Sequence, residues 1–433
     1  MALIMFAVML VLLFLGLPVS VALLIMVLFG FVVFVDPALG VNHVINGFFS
    51  SIAKFTLTPV PLFILVGNLM FHSGVAMRSI NCISKWMGSI PARLSFISVA
   101  AGTFFGAISG STLASFSLLA SILYPEMRRQ NYSKAMSIGP ILASGGLAMI
   151  IPPSALSVFY AAIAQISVAG ILIGGIGPGI LMAVGYSSVI LLRVAINPSQ
   201  APKYEFEKIS WRERFHSLAV DLLPAAFVTG LMLVFILFGI TTPTEAAAVG
   251  FVASLIVVIG YRNLTWDVIK KTVTSTMETT GMIFFITITA ASYSQLLAHT
   301  GISTGMVKWV IGLGLTPIVT VIAMLILVVI LGTFMDQVPI MMVTIPFFLP
   351  IIEAFGYNMI WFAVMMLIAL QIGMTTPPFG LGLFVVKGVI PEIKVKELYA
   401  AAFPYLLSDA AVITLLLLLP DIVLYIPGVM NLI

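Results

Sequence analysis

Two short stretches of this sequence carry polar atoms where a membrane helix would carry none. "GMTTPPFG" (373–380) sets Thr375 and Thr376 beside Pro377 and Pro378, and "MIIPPS" (149–154) repeats the pair at Pro152 and Pro153. Proline removes an amide donor and crowds the preceding turn, so each pair should end a helix. A break leaves N–H groups with partial positive charge on one side and carbonyls on the other; the first suit a carboxylate, the second a cation. Serine and threonine hydroxyls can complete an oxygen shell without a full negative charge. The first half of the chain offers Ser109, Ser111, Thr112, Ser144 and Ser154 for this purpose, and the second offers Thr333, Thr375, Thr376 and the carboxylate of Asp336.

Asp336 ends the apolar run "VVILGTFMD". An ionisable group inside a membrane segment is costly unless it faces a cavity or a partner, which makes it a candidate ligand; the plainer reading is an interfacial acid near a helix end. Lys54 opens "KFTLTPVPLFILVGNLM" and also has two readings, a lysine that snorkels to the interface or a contact for a substrate carboxylate. Pro59 and Pro61 in the same stretch are expected at the tip of a re-entrant hairpin, with Ser292 and Ser294 near the tip of its counterpart.

The elements that must hold these groups are helices in a bilayer. The 433 residues are 61% hydrophobic and 8% charged, with a mean hydropathy of +1.22, far beyond what a soluble core requires. About a dozen apolar stretches recur, and all read as helical, because lipid leaves no other partner for backbone groups. The N-terminal stretch lacks the basic region and cleavage site of a secretory signal and reads as a first membrane helix, divided near Gly16 and Pro18. A single cysteine, Cys82, excludes an internal disulfide, and the four histidines have no metal-ligand spacing. The net charge of +4 gives no indication of nucleic-acid binding. The loops Asn197–Ser217 and Tyr261–Lys271 are rich in Lys and Arg and should face the cytoplasm.

The chain is also written twice. The Pro-Pro pairs lie 377 − 152 = 225 residues apart; "GAISGST" from Gly106 and "GTFMDQV" from Gly332 lie 226 apart; two further landmarks keep nearly the same offset. The expected organisation is N-terminal membrane helices over 1–39, a first repeat over 40–193, a connecting segment with the basic loop and two helices over 194–272, and a second repeat over 273–433. Repeats of this kind in transporters usually have inverted topology, with the binding site where discontinuous helices meet.

"PVPLFILVGNLM", "FFGAISGST", "IIPPSALSVFYA", "TPTEAAAVG", "LGTFMD" and "TTPPFGLGLFVV" together resemble, in order, the motifs of the large membrane subunit of the tripartite ATP-independent periplasmic (TRAP) transporters. The resemblance covers nearly the whole chain. It implies an all-α polytopic protein with re-entrant hairpins and broken helices, working as an elevator with scaffold and transport domains. It further implies Na⁺-coupled uptake of an organic acid, such as a C4-dicarboxylate or an acidic sugar, with no organic cofactor. The implied partners are a small four-helix membrane subunit and a periplasmic substrate-binding protein. One sodium site would draw on Ser109, Ser111, Gly145 and Pro152, and a second on Thr333, Asp336, Thr375 and Thr376. Lys54, Thr58, Ser154 and Pro377 are the candidate substrate contacts. The chain departs from the family pattern at Lys54, where a small polar residue is common.

A single-component sodium/carboxylate symporter would share the repeats and breaks but would transport without a binding protein. A channel also uses backbone carbonyls. An intramembrane protease would need a histidine beside the serine of "GAISG", and none is placed there by sequence. No phosphate-binding loop for ATP occurs, so an ion gradient is the expected driving force.

Overall fold

The computed structural model describes residues 17–34, 51–88, 90–109, 111–201 and 209–432, together with 8, 11, 12, 15, 47 and 48. The earlier part of the expected first helix lies outside them, and α1 (Val19–Phe34) begins just after Pro18. A single 3₁₀ turn, Phe55–Leu57, then leads into α2 (Pro59–His72). Short α3 (Val75–Trp86) is amphipathic and too short to cross a bilayer.

Next come α4 (Arg93–Ser109), α5 (Thr112–Arg129), α6 (Lys134–Gly145) and α7 (Ala155–Ala164). The chain continues through α8 (Val168–Gly174), α9 (Ile176–Ile196), α10 (Trp211–Ser217), α11 (Leu223–Leu237) and α12 (Pro243–Gly260). α13 (Trp266–His299) is the longest of the described helices, with 34 residues. The remainder are α14 (Ile302–Gly312), α15 (Pro317–Gly332), α16 (Gln337–Ala354), α17 (Met359–Thr375), α18 (Leu381–Val389), α19 (Val395–Leu418) and α20 (Asp421–Val429). No strand occurs among the described residues.

Among the described residues, seven helical stretches are long and apolar enough to cross a membrane, or eight if the pair bent by 119° at α14–α15 is one span. That is fewer than the dozen apolar stretches in the sequence, because several of those stretches are half-length helices on either side of a break. The starts of α4, α5, α6, α7 and α8 at 93, 112, 134, 155 and 168 are followed by those of α15, α16, α17, α18 and α19 at 317, 337, 359, 381 and 395. The differences are 224, 225, 225, 226 and 227 residues.

α13 packs along α1, α2 and α16, and α12 packs on α2 and α11. In another group, α6 packs on α4, α5 and α19, while α17 packs on α15 and α19. The two groups meet where α16 lies against α13 and α7 against α2.

The two basic loops share one end of the molecule. The Tyr261 hydroxyl donates to the Val220 carbonyl, Arg78 pairs with Asp221 at 3.4 Å, and the Asn263 side chain donates to the Ser73 carbonyl at 2.8 Å. Trp86, Trp211 and Phe215 stack there with ring centroids 5.4 to 6.2 Å apart, as aromatic side chains do at a membrane interface.

α12 starts with a complete capping box. The Thr242 hydroxyl accepts from the Glu245 N–H, and the Glu245 carboxylate accepts from the Thr242 N–H at 2.7 Å. The Thr242→Ala variant is therefore expected to lose about 1 kcal/mol, seen as a lower melting temperature of the purified protein in detergent.

The stretch from Lys54 differs from expectation. Pro59 and Pro61 make no hairpin tip; Pro59 is the first residue of α2, where its missing N–H costs nothing. Residues Phe55–His72 form one candidate span. Ser292 and Ser294 likewise lie within continuous α13.

Candidate functional site

The sequence makes four breaks, each with its own local cause. Ser111 caps α5, its hydroxyl accepting from the Ala114 N–H at 3.4 Å. Ser154 caps α7 by accepting from the Ser157 N–H at 3.2 Å. Both Ser154 and Ser157 donate to the Met149 carbonyl, at 2.8 and 2.7 Å, which satisfies the end of the 3₁₀ turn Gly146–Met149. Asp336 stands at the N-cap of α16 but makes no side-chain cap bond. At the fourth break, between α17 and α18, the Gly380 N–H donates to the Thr376 carbonyl at 3.1 Å. The peptide between the two prolines is cis in both Pro-Pro pairs.

Close backbone approach holds the breaks against the neighbouring half-helices. A methyl group built on Gly332 would meet the Gly373 Cα at 2.8 Å, and one on Gly106 would meet the Ala148 Cα at 2.7 Å. The pairs cross between the two halves as well. Phe116 of α5 fills the space beside both Gly145 and Gly382, so α5 rests on both α6 and α18.

The N-terminal ends of α5, α7 and α16 open on one cavity of about 170 Å³, lined by Ser111, Thr112, Ala155, Asp336 and Gln337, with Asn68 of α2 and Thr279 of α13 on the opposite wall. Three helix N-termini aimed at one space make it electropositive through their unpaired N–H groups. Asp336 supplies the countercharge, and its Oδ1 is buried with no hydrogen-bond partner. An orphaned carboxylate oxygen beside hydroxyl and carbonyl donors is a donor set that fits a hard cation such as Na⁺.

Of the predicted second set, Thr333 lies near the end of α17 that carries Thr375 and Thr376, whereas Asp336 lines the cavity and the three threonines are not among its lining residues. Gly332 touching Gly373 brings Thr333 to the end of α17, and the Gln337 amide donates to the Met374 sulfur, joining the start of α16 to the same place. Thr333, Thr375 and Thr376 currently donate to carbonyls of their own helices, Thr333 to Ile330 at 2.7 Å and Thr376 to Ile372 at 2.6 Å, which leaves their hydroxyl lone pairs available. In the first set, Ser111 lines the cavity, while Gly145 and Pro152 are buried along the α6–α7 break. Ser109 ends α4, and its side chain lies outside the described residues.

The predicted substrate contacts are not gathered in one place. Lys54 lines a second, larger cavity of about 510 Å³ with Gln165, Ser294 and Gln295. Thr58 is the N-cap residue of α2, half-buried beside that cavity's Leu57. Ser154 turns to the Met149 carbonyl, and Pro377 lies at the α17–α18 break, outside the residues lining either cavity. The two cavities follow one seam: Val338 and Met342 of α16, and Ile283 and Thr287 of α13, mark their adjoining edges one helical turn apart. The smaller lies nearer the basic-loop end.

Sequence reasoning missed Asn68, Thr279 and Gln337. Each is a polar residue in an apolar helix, but only the fold shows that they line one cavity. It also missed Asp409, fully buried in α19, which accepts the Tyr186 hydroxyl at 2.6 Å.

An all-helical polytopic protein in which three helix breaks open on one cavity between its helices has the architecture of a transporter. The fold agrees with that of the YdaH transporter of Alcanivorax borkumensis, at a TM-score of 0.66 and 13% identity over 88% of each chain. Residues 6–422 match the family model described as "Tripartite ATP-independent periplasmic transporter, DctM component". The chain is 31% identical to the C4-dicarboxylate TRAP transporter large permease protein DctM of Rhodobacter capsulatus, over 99% of each chain. It is 29% identical to the ectoine TRAP transporter large permease protein TeaC of Halomonas elongata, over 98% of each. This protein belongs to the large permease subunits of the TRAP transporters, and is a multi-pass protein of the bacterial inner membrane.

Proposed function

We propose that this subunit imports an organic acid with Na⁺, receiving it from a periplasmic binding protein and working beside a small membrane subunit. The observation that carries the reading is the convergence of three helix N-termini and an orphaned Asp336 oxygen on one cavity between the two halves. The N–H groups suit the anion; the oxygens of Asp336, Thr333, Thr375 and Thr376 suit the cation. Substrate and Na⁺ then neutralise each other's field, and only the loaded site presents little bare charge to the membrane.

The matching order of α4–α8 and α15–α19 supports a pair of inverted repeats spanning about 40–193 and 273–433, with α4–α5 and α15–α16 as the re-entrant hairpins. The group built on α6 and α17 is then the transport domain, and α1, α2, α11, α12 and α13 belong to the scaffold. The cavity seam lies between them, where an elevator movement requires sliding contacts. With the basic loops in the cytoplasm, the larger cavity with Lys54 is the periplasmic vestibule.

Uptake of labelled acids into proteoliposomes, with the small subunit and a matching binding protein, tests the reading. Uptake is expected only with an inward Na⁺ gradient and the binding protein. Sodium-independent uptake overturns the cation role, and uptake without any binding protein identifies a single-component carrier instead.

In the same assay Lys54→Gln is expected to raise KM roughly two- to fivefold, since one exposed charge contact contributes about 0.5–1 kcal/mol. Maximal rate should be preserved and the difference should shrink at high salt. An unchanged KM would leave Lys54 as an interfacial anchor.

A further inference from the structure

Positions 146 and 371 are 371 − 146 = 225 residues apart, the offset of the two Pro-Pro pairs, and they meet. The three atoms nearest to a methyl group built on Gly146 all belong to the Gln371 carboxamide. Equivalent positions of two related halves can touch only on the axis between them. Gln371 therefore sits at the centre of the paired breaks, where one half supplies glycine and the other a polar side chain that fills its space.

The carboxamide is only half satisfied. Gln371 is fully buried, and its Nε2 reaches the Ala143 carbonyl at 3.5 Å. That carbonyl belongs to the last turn of α6 and also accepts from the Gly146 N–H. Gln371 Oε1 has no hydrogen-bond partner. Leaving a buried amide oxygen unpaired costs about 1–3 kcal/mol, and neighbouring Leu370 and Ile372 show that the helix itself asks for no polar group here. The oxygen lies beside the C-terminal end of α6, where the helix dipole favours a positive ion. Meanwhile the Gln371 backbone carbonyl accepts the Thr375 hydroxyl at 3.1 Å, so the same residue is bonded to the α17–α18 break.

We propose that Gln371 is a cross-half ligand: its side-chain oxygen completes the cation shell at the α6 break while its backbone belongs to the α17 break, so that filling one break organises the other. The inference rests on the sodium reading above and adds a residue and a consequence to it. Coupling of this kind is reciprocal, so each cation raises the affinity of the other site.

The test is a Na⁺ titration of the melting temperature of the purified full-length chain in detergent, with K⁺ at equal ionic strength as control, since a ligand that binds only the folded state stabilises it by mass action. The wild-type chain is expected to gain stability from Na⁺ alone, with a Hill coefficient above one. Gln371→Leu keeps the bulk and removes the donor. It is expected to raise the half-saturating Na⁺ concentration by about tenfold, as losses of metal-site partners commonly do, and to bring the Hill coefficient to about one. Gly146→Ala pushes the carboxamide from the other side and should give the same shift, and combining it with Gln371→Ala should add little, because the clash is then gone. A general packing defect would lower the melting temperature without moving the Na⁺ midpoint. Midpoints and Hill coefficients unchanged in both single variants overturn the inference while leaving the sodium reading intact. A wild-type chain that responds equally to Na⁺ and K⁺ overturns both.

Discussion

Asp336→Asn is expected to abolish Na⁺-driven uptake while leaving the protein folded. Asp336 is the sole ionisable side chain among the described residues that line the smaller cavity, and its buried Oδ1 has no partner within the protein. Asparagine keeps the size and one carbonyl oxygen but removes the negative charge that balances both the helix N-termini and a bound cation. A loss of about 100-fold in Na⁺ affinity, equivalent to about 2.7 kcal/mol, follows if this carboxylate is a direct ligand. Stability should move the other way or not at all, since a buried carboxyl oxygen without a partner is a cost in the absence of the ion. The two readouts are the Na⁺ dependence of uptake in proteoliposomes and the melting temperature without Na⁺. Uptake with unaltered Na⁺ dependence would return Asp336 to the role of an interfacial acid at a helix end.

Much of this site was legible in the sequence because its chemistry requires irregular backbone, and irregular backbone in lipid has few spellings. Proline pairs, glycines and hydroxyls mark the breaks at 146–154 and 376–380 as directly as they mark turns in a soluble protein. The same rule misled at two places. Pro59 and Pro61 read as a break, yet proline also begins helices, and α2 starts at Pro59. The polar run of α13 read as a hairpin tip, but Thr287, Thr289 and Ser292 each donate to a carbonyl one turn earlier, at 2.7 to 3.2 Å, so hydroxyls sit inside a continuous helix at no cost to its own ladder. The pairing of Gln371 with Gly146 and of Tyr186 with Asp409 was invisible for a different reason. Those contacts join residues more than 220 positions apart, and one polar letter in an apolar run does not name its partner.

The glycine pair Gly332 and Gly373 should be the site's least tolerant backbone. Substituting Gly373 by alanine places a methyl group 2.7 Å from the Gly332 Cα and 2.9 Å from the Val329 carbonyl oxygen. Both neighbours are backbone, so no side chain can swing away, and α15 must separate from α17. Overpacking of this type costs about 1–3 kcal/mol; the functional loss should exceed that, because the same approach holds Thr333 near Thr375 and Thr376. Gly106→Ala tests the matching contact in the first half, where the obstacle is the Ala148 Cα at 2.7 Å. Gly281→Ala is the control: it adds the same methyl group within α13, with no atom within 4 Å of it beyond its own stretch of helix backbone. Both tight substitutions are expected to lower the melting temperature and weaken the Na⁺ response, with the control close to wild type. If Gly373→Ala lowers stability but preserves the Na⁺ midpoint, the close approach packs the helices without shaping the cation site. If the midpoint rises with it, the spacing of two helix backbones sets the ion's coordination distance, and glycine is there because any side chain would widen it.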